Sequence, residues 1–120
     1  MAEGRLLVAC LCAEWCGACR EYRPTFDKVA AQFAGAAEFA WIDIEDESDA
    51  LGDPDIENFP TLLVADAAAL RFLGAVTPQP GTLERLVRSA VEGALPAVVE
   101  ADDGLVERVR GLLRARRATA

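Results

Sequence analysis

Two cysteines three residues apart, Cys16 and Cys19, stand where an apolar run gives way to helical periodicity. A Cys-x-x-Cys at the opening of a helix is suited to thiol–disulfide exchange. At such a helix start, unpaired backbone N–H groups and the helix dipole stabilise a thiolate on the first cysteine. The i, i+3 spacing puts the second on the same helix face, within reach of a disulfide. Cys16 is then the group that attacks a substrate disulfide. Cys19 attacks the resulting mixed disulfide and releases the reduced substrate. Two more cysteines, Cys10 and Cys12, lie two apart on the preceding run and share a face. They are expected as small buried hydrophobes. A regulatory thiol and a four-cysteine metal site remain as alternatives, the second disfavoured by the awkward geometry of a rigid strand. The chain has no histidine, which removes Cys–His and Ser–His nucleophile pairs and the commonest metal ligand.

The elements that must position these thiols are legible in the pattern. Leu6 to Cys12 is a short continuous apolar run and reads as a buried strand. Tyr22, Phe26, Val29, Ala30 and Phe33 recur at helical spacing, with Pro24 inside the helix and Gly35 ending it. Glu38 to Ile44 alternates and reads as a second strand, followed by an acidic loop with one helical turn near Ser48–Leu51. Leu62 to Ala65 is a third strand, Asp66 to Ala69 a tight turn, and Leu70 to Val76 a fourth strand antiparallel to the third. A helix begins at Thr82, carries Leu83, Leu86, Val87, Ala90 and Val91, and stops at Pro96. A last helix is expected over Asp103 to Arg116, with Leu105, Val109, Leu112 and Leu113 on one face. The helix between the first two strands makes them parallel.

The stretch Ala13-Glu14-Trp15-Cys16-Gly17-Ala18-Cys19-Arg20 resembles the active-site segment of the thioredoxin family. Pro24 matches the proline of that family's active-site helix, Phe59-Pro60-Thr61 its cis-proline segment, and Gly74 the glycine where substrate backbone approaches. The resemblance runs from about Leu6 to Ala94 and implies an α/β, thioredoxin-like fold. That is a mixed central sheet of about four strands flanked by helices, here with an extra C-terminal helix. It implies residues 1–96 as the thioredoxin-like domain and 97–120 as a helical extension packing on the domain or on a partner subunit. Cys16 and Cys19 would be catalytic, and Trp15, Gly17, Ala18, Phe59, Pro60 and Gly74 would meet the substrate, with the Phe59 backbone pairing with an extended segment. No cofactor and no metal are implied. The partners would be disulfide-containing proteins, with a reductase or glutathione as electron donor, and the chain a monomer or weak homodimer.

The sequence also departs from the family. Ala18 replaces the usual motif proline, which is expected to make the couple more oxidising. Cys10 occupies the place of a buried aspartate that assists the resolving cysteine, and a thiol is a poor substitute at neutral pH. Trp41 takes the place of a lysine near that aspartate. Glu14 is a less well placed substitute for the acid. The family's first strand and helix are missing ahead of Leu6, so the strand at Phe39–Ile44 becomes an edge and the C-terminal helix is expected to supply the missing cover. A thioredoxin-fold binding module with a redox-weak dithiol is the second reading of function, and a metal-binding protein the third.

The formal net charge of -8 over 120 residues argues against nucleic acid as a partner. Asp43 to Glu57 holds eight acids and no base, expected as a solvated loop, whereas Arg108 to Arg117 holds five arginines, expected on a solvated helix face. No apolar run approaches the ~20 residues needed to cross a bilayer. Leu7-Val8-Ala9-Cys10 superficially resembles a lipoprotein cleavage box, but only four apolar residues precede Cys10 and the start lacks a positive region. A cytoplasmic setting is therefore expected, in which thiols rest mainly reduced.

Overall fold

The run Leu6–Cys12 forms β1, whose residues from Leu7 onward are all buried. A computed structural model describes residues 6–13, 15–52, 56, 59–76, 79–98 and 104–119 of the chain. The other elements in chain order are α1 (Gly17–Gln32), β2 (Ala37–Asp43), α2 (Ser48–Leu51), β3 (Thr61–Ala65), β4 (Leu70–Ala75), α3 (Pro80–Val91) and α4 (Leu105–Thr119). The strands form one sheet in the order β2-β1-β3-β4. β2 runs parallel to β1, whereas β3 is antiparallel to both β1 and β4. Among the described residues, β2 is thus an edge strand.

A strand with helices on both of its faces needs apolar side chains at successive positions, which explains the unbroken run in β1. The strand period of two then divides the core. Leu7, Ala9 and Leu11 point into one cluster, closed by Leu105, Val106, Val109, Leu112 and Leu113 of α4 and by Leu51 of α2. Val8, Cys10 and Cys12 point into the other, closed by Cys19, Tyr22, Phe26 and Val29 of α1 and by Leu83 and Val87 of α3. Those four α1 positions recur at intervals of three and four, the spacing of one helix face. The helix continues through Pro24.

Several boundaries differ from the sequence reading. α3 starts at Pro80 with Gln79 as its N-cap, because proline suits a first helical turn. It ends at Val91 and not at Pro96, since Gly93 at φ 75° turns the chain first. α4 reaches Thr119, beyond Arg116, and adds Val106 to the buried face. Asp103 lies outside the described residues. The arginines of α4 are not simply a solvated face. Arg108 donates to the Leu51 carbonyl at 2.7 Å, Arg110 to that of Asp66 at 3.2 Å and Arg116 to that of Trp41 at 3.2 Å. Arg117 pairs with Glu38 at 2.7 Å. The first of these satisfies a carbonyl at the end of α2, where Gly52 takes a left-handed conformation at φ 74°. α4 therefore anchors through polar edges as well as its apolar stripe. Among the described residues, no helix is long and apolar enough to cross a membrane.

Candidate functional site

The site forms where β1 ends and α1 begins. Cys16 is the N-cap of α1, in extended conformation with no side-chain capping bond. Its backbone N–H donates to the Ala13 carbonyl at 3.0 Å, which tightens the turn out of the strand. The Cys16 side chain is half-buried, Gly17 and Ala18 are exposed, and Cys19 is buried one turn on. Glu14 lies outside the described residues.

Cys19 is joined to Cys12 in a disulfide, with Cα atoms 5.9 Å apart, and Cys16 is a free thiol. The expectation that Cys12 serves only as a buried hydrophobe is corrected here. Cys12 is the last residue of β1 and faces the first turn of α1. The strand–turn–helix connection brings their Cα atoms within the usual disulfide range of 4.4–6.8 Å. The shared face expected for Cys10 and Cys12 is present, with their Sγ atoms 3.5 Å apart. Cys12 carries no proton in the disulfide, so Cys10 is the donor in that contact. Burial pushes the Cys10 thiol up to about 12, against a weaker opposing pull from the Arg23 charge. Cys10 is consequently neutral near pH 7 and cannot serve as a general base there. Cys10 and Trp41 are neighbours in the β1–β2 register, so both departures from the family's acid–lysine pattern fall side by side.

The other expected contact residues gather around this turn in part. Trp15 is 63% exposed. Its indole N–H donates to the Glu45 carboxylate at 2.8 Å, and its ring meets the edge of Phe59 at 5.7 Å. Phe59 and Cys16 both border the cluster that contains Cys10, Cys12 and Cys19. The Phe59–Pro60 peptide bond is cis, as the family resemblance implies. Gly74 pairs with Leu62 across the β3–β4 ladder. A side chain added there would meet only the Phe72 ring, at 3.6 Å, so the chain's own packing does not demand glycine at that position.

Sequence reasoning missed Cys12 as a bonding partner and Glu45 as the group that holds Trp15. For Cys12 a signal was present: it shares a face with Cys10 and ends the strand that feeds the helix. For Glu45 there was none, since only the tertiary fold brings the acidic loop to the tryptophan. Behind Cys19 lies a cavity of about 500 Å³ lined by Ala13, Cys19, Arg20, Arg23, Trp41, Asp43 and Asp46. Arg23 stacks over the Trp41 ring, 4.8 Å from its centroid. Among the described residues no group of three or more His, Cys, Asp or Glu side chains is arranged to hold a metal ion.

A four-stranded mixed sheet with helices on both faces and cysteines at the β1–α1 turn defines the thioredoxin-like fold. Thioredoxin from Trypanosoma brucei brucei superposes with a TM-score of 0.64 at 26% identity, covering 77% of this chain and 80% of that one. Deadhead, a germline-specific thioredoxin from Drosophila melanogaster, gives a TM-score of 0.64 at 20% identity, over 73% and 83% of the two chains, a likeness of fold. The Thioredoxin family model matches residues 1–80. Thioredoxin-2 of Saccharomyces cerevisiae is 30% identical over 94 residues, 76% of this chain and 86% of the yeast protein. The chain belongs to the thioredoxin family. A protein disulfide-isomerase 2-3 of Arabidopsis thaliana is 42% identical over 65 residues, 52% of this chain. That match spans only 15% of the isomerase.

Proposed function

We propose that this chain is a protein-disulfide reductase or exchanger in which Cys16 is the nucleophile and Cys19 the resolving thiol. Family membership supports thiol–disulfide oxidoreductase chemistry as the general activity. The single observation that carries the finer reading is the free, half-buried Cys16 thiol at the mouth of α1, one turn before buried Cys19. In the reduced form, the Cys16 thiolate attacks one sulfur of a substrate disulfide and expels the other as a thiolate. Cys19 then attacks the Cys16 sulfur, the substrate leaves as its second thiolate, and a Cys16–Cys19 disulfide remains. Two electrons have passed to the substrate. A reductase or glutathione returns the dithiol.

Trp15, Gly17, Ala18, Phe59, Pro60 and Gly74 form the docking rim in this reading, with an extended substrate segment pairing along the Phe59 backbone. Cys10 cannot take the proton of Cys19 near neutrality, so that proton leaves through the cavity beside Cys19, and resolution is slow. We place the protein in the cytoplasm as a monomer or weak homodimer. Residues 1–96 are taken as the exchanging domain and 97–120 as its cover. Dithiothreitol-driven reduction of insulin tests the assignment. Cys16→Ser should abolish turnover, and unchanged turnover in that variant would refute the reading. The bond from Cys19 to Cys12 favours a second reading, a redox-weak binding module built on the same fold. A wild type that binds partners through Trp15 and Phe59 but reduces no insulin would select it.

A further inference from the structure

Four sulfurs are ranged from the surface inward. Cys16 is half-buried at the helix mouth, Cys19 is 2% exposed one turn on, Cys12 is 1% exposed beneath it, and Cys10 is fully buried next to Cys12. Cys19 is within bonding reach of Cys12 in the folded chain. By its helical spacing it also shares a face with Cys16. It can therefore bond to only one of two cysteines at a time, and the choice decides whether Cys16 has a resolving partner.

We propose that Cys12 is a third exchange cysteine, which draws the disulfide inward from Cys16–Cys19 to Cys12–Cys19. The proposal rests on the reading of Cys16 and Cys19 as the working pair. The Cys12 thiol gives its proton to solvent and attacks the Sγ of Cys19. The Cys12–Cys19 bond forms as the Cys16–Cys19 bond breaks, and the electron pair departs on the Cys16 sulfur. One disulfide and one thiol stand on each side of the step, so no further oxidant or reductant is consumed.

Two physical features drive the step inward. The leaving sulfur lies at the N-cap of α1 and is only half-buried, so water reaches it as it departs. The incoming sulfur moves from a buried thiol, whose polar hydrogen is lost, into a disulfide in an apolar cluster. Cys10 acts as a positioning residue: its S–H, 3.5 Å away, can donate to the Cys12 sulfur as charge develops there. When no reductant intervenes first, the consequence is a chain that leaves a turnover with the resolving cysteine occupied and the attacking cysteine restored. In that state Cys16 forms mixed disulfides that no internal thiol cleaves.

Peptide mapping tests this directly, because trypsin cuts after Arg5 and Arg20 and a glutamate-specific protease cuts after Glu14. Residues 6–14 then carry Cys10 and Cys12, and residues 15–20 carry Cys16 and Cys19. Reduced full-length protein is treated with one equivalent of glutathione disulfide, quenched at intervals with acid and N-ethylmaleimide, digested and weighed. The expected result is an early disulfide within 15–20, replaced by a bond joining the two fragments, with Cys16 labelled. Cys10→Ala should still give the joined product. Cys12→Ala and Cys12→Ser should lose it and keep Cys16 protected from label. Cys16→Ser should form it at least about ten-fold more slowly, because the precursor disulfide is missing. A wild type that ends with the disulfide within 15–20 overturns the third-cysteine role and leaves the Cys16–Cys19 pair standing. Joined product at the wild-type rate in Cys16→Ser also overturns it, since the bond would then arise without exchange. A wild type that forms no disulfide and leaves Cys16 unlabelled brings down the working pair, and this proposal with it.

Discussion

Replacing Leu105 or Leu113 by alanine tests how far α4 is part of the domain and not an appendage. Each leucine is 5% exposed and enters the cluster that contains Leu7, Leu11, Ile42 and Leu63 of the sheet. Truncation removes three carbons from a site closed by strands on one side, where the surroundings cannot fully collapse. The expected cost is about 2–4 kcal/mol for each. The two residues are eight apart, about 12 Å along a helix, so their effects should nearly add. The double variant is expected to lose about 4–8 kcal/mol, comparable with the whole stability of a domain this size. Urea unfolding followed by tryptophan fluorescence measures the loss. In a thermal melt each single variant should fall by roughly 10 °C. Arg117→Ala is the control, since its ion pair with Glu38 is partly exposed at the domain surface and should be worth no more than about 1 kcal/mol. Deleting residues 97–120 should leave an aggregating or unfolded protein. Single leucine variants that melt within a degree or two of wild type would refute the packing argument.

Three further outcomes follow from buried polar groups and charge. Folding holds Cys10 as a neutral thiol, with a pKa raised from about 8.5 unfolded to about 12. Its contribution is complete below the unfolded value and is lost as pH rises above it. The urea midpoint should therefore drop between pH 8 and 10, and less so in Cys10→Ala; equal slopes would count against the buried thiol. Tyr22 is fully buried and its hydroxyl has no hydrogen-bond partner among the described residues. Tyr22→Phe should be neutral or gain about 1 kcal/mol, and a clear loss would mean that the hydroxyl is bonded. Burial raises the Asp66 pKa, but the Ala69 N–H, the Arg71 guanidinium and the Ala68 N–H together hold it below the usual carboxylate value. Its stabilisation is present above about pH 4 and is lost as pH falls through the depressed value, so Asp66→Asn should flatten the acid limb of the stability curve. An unchanged acid limb would refute the lowered Asp66 pKa and the stabilisation drawn from it.

The local grammar of this chain set most of its architecture. A continuous apolar run as short as Leu6–Cys12, ahead of helical periodicity, reads as a central strand, because a strand covered on both faces hides successive apolar residues in few positions where a buried helix needs a longer run. The turn at Asp66–Ala69, the helical turn at Ser48–Leu51 and the helix through Pro24 follow from spacing that acts over a few residues. So does the placement of Cys16 at a helix mouth, which is a matter of where the strand stops. The tertiary structure decided what lies far apart in sequence and close in space. The bond between Cys12 and Cys19 depends on how β1 abuts the first turn of α1 and on the parity that turns Cys12 toward it. Glu45 meets Trp15, and Arg108 meets Leu51, only because the acidic loop and α4 fold back over the sheet. Residue spacing encodes which face a side chain takes within its own element, whereas the partner on that face is chosen by how the elements pack.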